Sequence, residues 1–326
     1  MTNPEPDPQE QWCGPVATAA AAPVLQVLTP REVPLGGPRA MTVRRTLPRR
    51  DRSLIGAWCF IDHYGPDEVA STGGMDVAPH PHTGLQTVSW LFTGEIEHRD
   101  SLGTHALVRP GEVNLMTAGR GIAHSEVSTS GTAVLHGVQL WVALPDAERA
   151  CAPAFAHHAA PAVAVGPGAT LRVFLGSLAG EHSPLATATP LLGAELVLGA
   201  GAEVALGVQQ AFEHGVLLDA GSVTVAGQPL ATGELGYLPP GSDLLVLANA
   251  GPAPARMLLL GGPPFTEELV MWWNFVARSH EEIASFRAQW QARSERFGDV
   301  PGYVGAVPWL PAPALPNARI MPRRQG

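Results

Sequence analysis

The stretch "PHPHTGLQTVSWLF", residues 79–92, places His80 and His82 one residue apart at the start of a run with strand character. Side chains at i and i+2 of a strand project from the same face. Two imidazoles side by side are costly unless something binds both, so the pair asks for a shared ligand. Further along, "TAGRGIAHSEVS" (117–128) repeats the arrangement with His124 and Glu126. Two such strands facing each other across a small barrel would bring the four side chains to one point. Three neutral imidazoles and a carboxylate suit a divalent first-row metal and leave two octahedral positions open for water, substrate or dioxygen. A structural zinc site would more often recruit cysteine and close at four ligands.

The remaining histidines lack this pattern. His63 in "FIDHYGP" either orients a ligand through a hydrogen bond or is a turn histidine. His98, His105 and His136 read as structural or exposed, and His157, His158, His182, His214 and His280 form no further HxH. One metal per chain is therefore expected. Composition alone would also admit Mn, Co, Ni, Cu or Zn at such a site.

The surrounding chain reads as β-structure. Of its 326 residues only 15% are charged, while 36 are glycine and 32 proline, which suits short strands joined by turns. Strand-like pieces run through "TVRRTLP" (42–48), "GAWCFIDHYGP" (56–66), 85–100, 105–119 and "AVLHGVQLWVALP" (133–145). A second series follows at 170–177, 194–200, 214–227, 233–251 and 255–262. The expected domains are a disordered leader (1–23), an N-terminal barrel (24–147), a C-terminal barrel (148–262) and a helix with an extended tail (263–326). "DAERA" (146–150) offers one helical turn in the linker. In "SHEEIASFRAQWQARSERF" the period changes, with Ser279 and Glu282 as a capping box and Ile283, Phe286 and Trp290 on one helical face.

Charge and cysteine content exclude several functions. A net charge of −9 argues against direct nucleic-acid contact. Cys13, Cys59 and Cys151 are scattered and odd in number, and no stretch is apolar enough to span a membrane. With acidic residues where a signal peptide would be basic, a soluble protein of the reducing cytoplasm, monomeric, is expected.

Taken together these segments resemble the pirins, metal-binding members of the cupin superfamily. The likeness is carried by "LPRRDRSLIGAWCFIDHYGP" (47–66), "PHPHTGLQTVSWLFTGEIEHRDSLG" (79–103), "LMTAGRGIAHSE" (115–126) and "LHGVQLWVALP" (135–145), with "MWWNFVARSHEEI" (271–283) as the marker of the second half. The resemblance implies an all-β bicupin: two antiparallel, jelly-roll-like barrels in tandem with a short C-terminal helix. It implies that His80, His82, His124 and Glu126 hold the metal, with Fe(II) the metal of choice. The general cupin pattern places an acidic residue four or five positions after its HxH, where this chain has Gln86-Thr87. Some pirins resemble quercetin 2,3-dioxygenases, which open a flavonol ring with O2 and release carbon monoxide. Others resemble regulators that bind a protein partner, with the metal as a redox switch. On the enzyme reading Glu126 is the candidate base, and Trp58, Phe60, Trp90 and Phe92 are candidates to line the substrate pocket, or are core residues.

Overall fold

The computed structural model describes residues 11–13, 25–34 and 41–322. Two β-units of matching topology make up the described chain. In the first, a seven-stranded sheet runs in the spatial order Ala154–Ala159, Glu112–Thr117, Leu85–Thr93, Val134–Ala143, Trp58–Glu68, Thr42–Leu47, Arg31–Pro34. Opposite it lies a four-stranded sheet ordered Asp76–His82, Ile122–Ser128, Ile96–Asp100, His105–Val108. Val43, Tyr64 and Leu91 from the larger sheet pack on Val77, Ile96 and Val108 from the smaller one.

The second unit repeats this plan. Its seven-stranded sheet is ordered Val163–Gly166, Ala169–Leu175, Leu192–Leu198, Ala255–Gly262, Glu213–Ala220, Leu235–Leu238, Gln26–Leu28, and its four-stranded sheet Glu203–Gly207, Leu244–Ala248, Val223–Val225, Gln228–Leu230. The strands pair antiparallel, as a bicupin requires. Each unit also lends a strand to the other. Gln26–Leu28 completes the second unit's sheet, pairing with Leu235–Leu238, while Ala154–Ala159 pairs with Glu112–Thr117 in the first.

The large sheets pack face to face. Between them lie Trp58, Trp90, Phe174, Leu217, Leu258 and Leu260. Trp90 stacks on Phe174 at 4.7 Å between centroids and donates Nε1–H to Glu195 Oε2 at 2.8 Å. Trp58 donates to the Leu192 carbonyl, so both indoles bury their bulk without stranding their polar atom. Gly56 is required here. Its φ is +51°, and a Cβ would stand 2.6 Å from Gly262 Cα of the other barrel.

The C-terminal segment folds back over the first unit. Asp76–His82 is an edge strand, and edges invite unwanted pairing unless covered. Here Leu310 N–H donates to the Pro79 carbonyl and Val276 N–H to that of Thr83. The helix spans His280–Gln291, with Ile283, Phe286 and Trp290 buried as their spacing predicts. Ser279 caps it by accepting from Glu282 N–H. The Glu282 carboxylate, however, accepts from Arg278 N–H, so the capping box reaches one residue further back than expected.

One local expectation holds and one differs from the structure. Residues 146–150 form a single turn in which Glu148 and Arg149 N–H both donate to the Pro145 carbonyl, the Arg149 bond being that of one helical turn, as expected. Most of the leader expected to be disordered lies outside the described residues, but Gln11–Cys13 forms a strand paired with Leu269–Met271.

Candidate metal centre

The interior of the first barrel is polar where that of the second is aliphatic. His80 and His82, on one face of their edge strand, meet His124 on the adjacent antiparallel strand, with His124 directly opposite His80 in register. All three imidazoles and Glu126 are buried. Ring centroids are 4.3 Å apart for His80 and His124, and 5.0 Å for His82 and His124. A register shift between His124 and Glu126 bends the strand there, as bulges beside functional sites do.

The backbone fixes which nitrogen of each ring faces inward. His80 Nδ1 lies 2.9 Å from the Ala78 carbonyl oxygen, and His82 Nδ1 lies 3.1 Å from that of Asn274. A ring nitrogen meets a carbonyl oxygen only as a donor, so each Nε2 keeps a free lone pair. For His124 the same result comes from a chain of side chains. His98 Nε2 donates to Asp100 Oδ2 at 3.2 Å, which leaves His98 Nδ1 as the acceptor 3.4 Å from His124 Nδ1. His124 Nε2 is thereby also left with its lone pair, 3.1 Å from His82 Nε2. His80 Nε2 is buried with no hydrogen-bond partner among the described residues.

Three converging lone pairs repel one another unless a cation lies between them, and this donor set fits a divalent metal. Burial holds all three imidazoles well below their usual titration range, so they are neutral, as metal ligation demands. Burial opposes the Asp100 carboxylate, yet the His98 hydrogen bond and the Thr104 backbone hold it below its usual range. Asp100 is thus an ionised anchor for the chain leading to His124.

Glu126 sits beside this triad. Its donor oxygen falls within 4.8 Å of the ring nitrogens of His98 and His124. Ser89 Oγ lies 3.0 Å from Glu126 Oε1 and 2.8 Å from Gln139 Oε1, which ties the carboxylate to the opposite sheet. Gln86, which stands where cupins carry an acidic residue, is on the other face of the same strand. Its amide donates to Thr117 Oγ1, away from Ser89.

The aromatic lining differs from expectation. Trp58, Trp90 and Phe92 face the second barrel, Phe92 lying under Arg256. Phe60 alone of the four points inward, stacked on Trp141 at 4.0 Å. Trp141, which the sequence did not single out, stands edge-on to His82 at 5.2 Å between centroids. Its Nε1 and the Tyr64 hydroxyl are buried donors with no hydrogen-bond partner among the described residues. Burial first, and then the charge of Glu126, hold the Tyr64 phenol well above its usual pKa, so it remains a donor.

His63, His136 and Asp219 form another buried group, between the barrels. His63 Nε2 and His136 Nε2 each lie 2.7 Å from Asp219 Oδ1, and Arg256 Nε donates to Oδ2 at 2.6 Å. Arg44 Nη2 stands 3.2 Å from His63 Nε2. Two guanidinium charges beside this carboxylate oppose a cation, so the group is an ion-pair network joining the units.

Known proteins resemble this chain along most of its length. The Pirin family profile matches residues 40–142, and the Pirin C-terminal cupin domain profile matches residues 193–298. The chain belongs to the pirin family. It is 46% identical over 293 residues to the Pseudomonas aeruginosa protein named "Putative quercetin 2,3-dioxygenase PA1205", covering 90% of this chain and 91% of that one. A "Pirin-like protein" of Caulobacter vibrioides is 35% identical over 79% of this chain and 91% of its own. Among solved structures, a quercetin 2,3-dioxygenase from Acinetobacter baumannii superposes with a TM-score of 0.84 at 38% identity, over 91% of this chain and 98% of that one. No helix among the described residues is long and apolar enough to cross a membrane.

Proposed function

We propose that this pirin holds one divalent metal, Fe(II) by family resemblance, through His80, His82, His124 and Glu126, and acts as a quercetin 2,3-dioxygenase on a flavonol. The observation that carries the reading is the inward convergence of three Nε2 lone pairs, each set by a hydrogen bond on the far nitrogen. The names of relatives at 46% and 38% identity support the choice of substrate. The bound metal would supply Lewis acidity toward a flavonol hydroxyl and a place for dioxygen beside it.

The chain's own groups divide the remaining work. Glu126 Oε1 accepts the substrate's hydroxyl proton, and Ser89 holds the carboxylate in place as it does so. The stacked Phe60 and Trp141 rings offer a flat wall beside His82 against which a planar substrate is oriented. Tyr64 O–H and Trp141 N–H donate to substrate oxygens, which gives these two buried donors the partners they lack. Burial of the whole set excludes water from the developing anion. We place this activity in the cytoplasm, where Cys59 and Cys151 would remain thiols.

Glu126→Gln tests the reading. It preserves size and one oxygen donor but removes charge and basicity. With both proteins loaded with the same metal and rates corrected for occupancy, oxygen uptake on a flavonol should fall roughly 100-fold or more. A metal-loaded wild type inert toward flavonols would reject catalysis and favour a regulator that works through a protein partner.

A further inference from the structure

Among the described residues the second barrel has no counterpart of the first barrel's histidine–glutamate set, yet it holds a cavity. Its strands Glu203–Gly207 and Leu244–Ala248 occupy the places that Asp76–His82 and Ile122–Ser128 hold in the first barrel. Where the first barrel carries histidines and a glutamate, these strands bury Val204, Leu206, Leu245 and Leu247. At one end of the second barrel, however, a cavity of about 180 Å³ remains. Leu178, Leu192, Val208 and Phe212 supply its apolar wall, and His214 its buried polar one. No charged side chain lines it.

His214 is 3% exposed, and its Nε2 is buried without a hydrogen-bond partner among the described residues. A polar atom left so is costly, and the ring that carries it lines the cavity. Burial lowers its pKa to about 4, so the ring facing the cavity is neutral at physiological pH. Phe212 lies beside it, ring centroids 6.2 Å apart. The rim is the short hairpin pairing Ser177–Leu178 with Glu181–His182, which turns through Ala179 at φ +53° and Gly180 at φ +85°, the positive angles such a two-residue turn requires.

We propose that this cavity is a binding site for a small neutral aromatic alcohol of the phenol class, separate from the metal centre. The volume suffices for a benzene-sized ring, for which about 150 Å³ is enough, and the mouth opens to solvent past Ser177, Gly180 and Gln209. A phenol adds to that ring one hydroxyl, which meets His214 Nε2. A neutral imidazole serves as acceptor or donor according to its tautomer, so the hydroxyl is satisfied either way. Carboxylates and ammonium ions are excluded because no counter-charge lines the cavity.

The test is binding of phenol and of toluene to the full-length, metal-free protein, followed by calorimetry and by the His214 imidazole signals in NMR. Metal-free His82→Ala protein, measured alongside, reports any binding at the first barrel. Phenol should bind one site per chain, shift the His214 resonances and bind about tenfold more tightly than toluene, the factor set by one hydrogen bond to an otherwise unpartnered atom. His214→Leu should remove that preference, leaving the two ligands within about twofold of each other. Leu178→Trp, which fills the cavity from its rim, should abolish both. Saturation absent up to about 10 mM phenol would overturn the proposal, given the affinity small ligands can reach. So would equal affinity for phenol and toluene in the wild type, a comparison that needs no variant to fold. Binding lost in His82→Ala with unmoved His214 signals would also overturn it.

Discussion

His63 and Asp219, on different barrels, meet at 2.7 Å with neither side chain exposed to solvent. Burial would raise the Asp219 carboxyl, but hydrogen bonds from His136 and His63, with the charges of His136 and Arg256, hold it well below the usual range. Burial lowers His63. Both groups therefore bind fewer protons folded than unfolded on the acid side of their ordinary values. Stability from His63 is complete above about pH 6.5 and lost as pH falls below it, and that from Asp219 is lost only below about pH 4. The buried site histidines of metal-free protein add to the same slope.

The melting temperature of metal-free protein should thus fall between about pH 7.5 and about pH 5.5, and His63→Gln should flatten that fall. Asp219→Asn should cost on the order of 3 kcal/mol at neutral pH, because Arg256 and two imidazoles lose their anion. Thermal unfolding at the two pH values checks both. A profile unchanged in His63→Gln would remove the network from the stability account.

His98→Ala should weaken metal binding about 10- to 100-fold without removing a ligand, since it breaks the Asp100–His98–His124 chain that orients His124. Competition with a chelator of known affinity measures this. Wild-type affinity in the variant would show that His124 is oriented by other means.

The strands of the candidate metal centre were legible because each carries its possible donors at i and i+2, a spacing that survives whatever the barrel's shape. His98 and Asp100 have the same spacing in "EIEHRD", so the signal for that chain was present and only its partner strand was not. The aromatic lining was harder to read for a physical reason. Strand Leu85–Thr93 is buried along both faces, so no alternation of polar and apolar residues marks which side faces the site. Only Ser89 against Glu126, and Trp90 against Phe174, decide it. The two strands exchanged between the units, Gln26–Leu28 and Ala154–Ala159, are long-range pairings that no local pattern encodes.

Trp90→Ala should destabilise the protein by about 3–5 kcal/mol, the usual cost of emptying a buried aromatic site. It also strands Glu195, which loses the indole donor. Denaturant unfolding measures the loss, while metal content should stay at the wild-type level because Trp90 faces away from the site.

Tyr64→Phe removes a buried donor and leaves the ring. On the proposed function, flavonol turnover should fall about tenfold, the value of one hydrogen bond to a developing anion, with metal content unchanged. Unchanged kinetics would place Tyr64 outside substrate contact.

The most direct measurement is the metal content of purified wild type, His82→Ala and His157→Ala after identical loading with Fe(II) and removal of free metal. His157 bonds Asn114 Oδ1 and stands apart from the converging lone pairs. The account predicts one tightly bound metal per chain in wild type and His157→Ala, and none in His82→Ala. Two metals per chain, or full retention in His82→Ala, would contradict it.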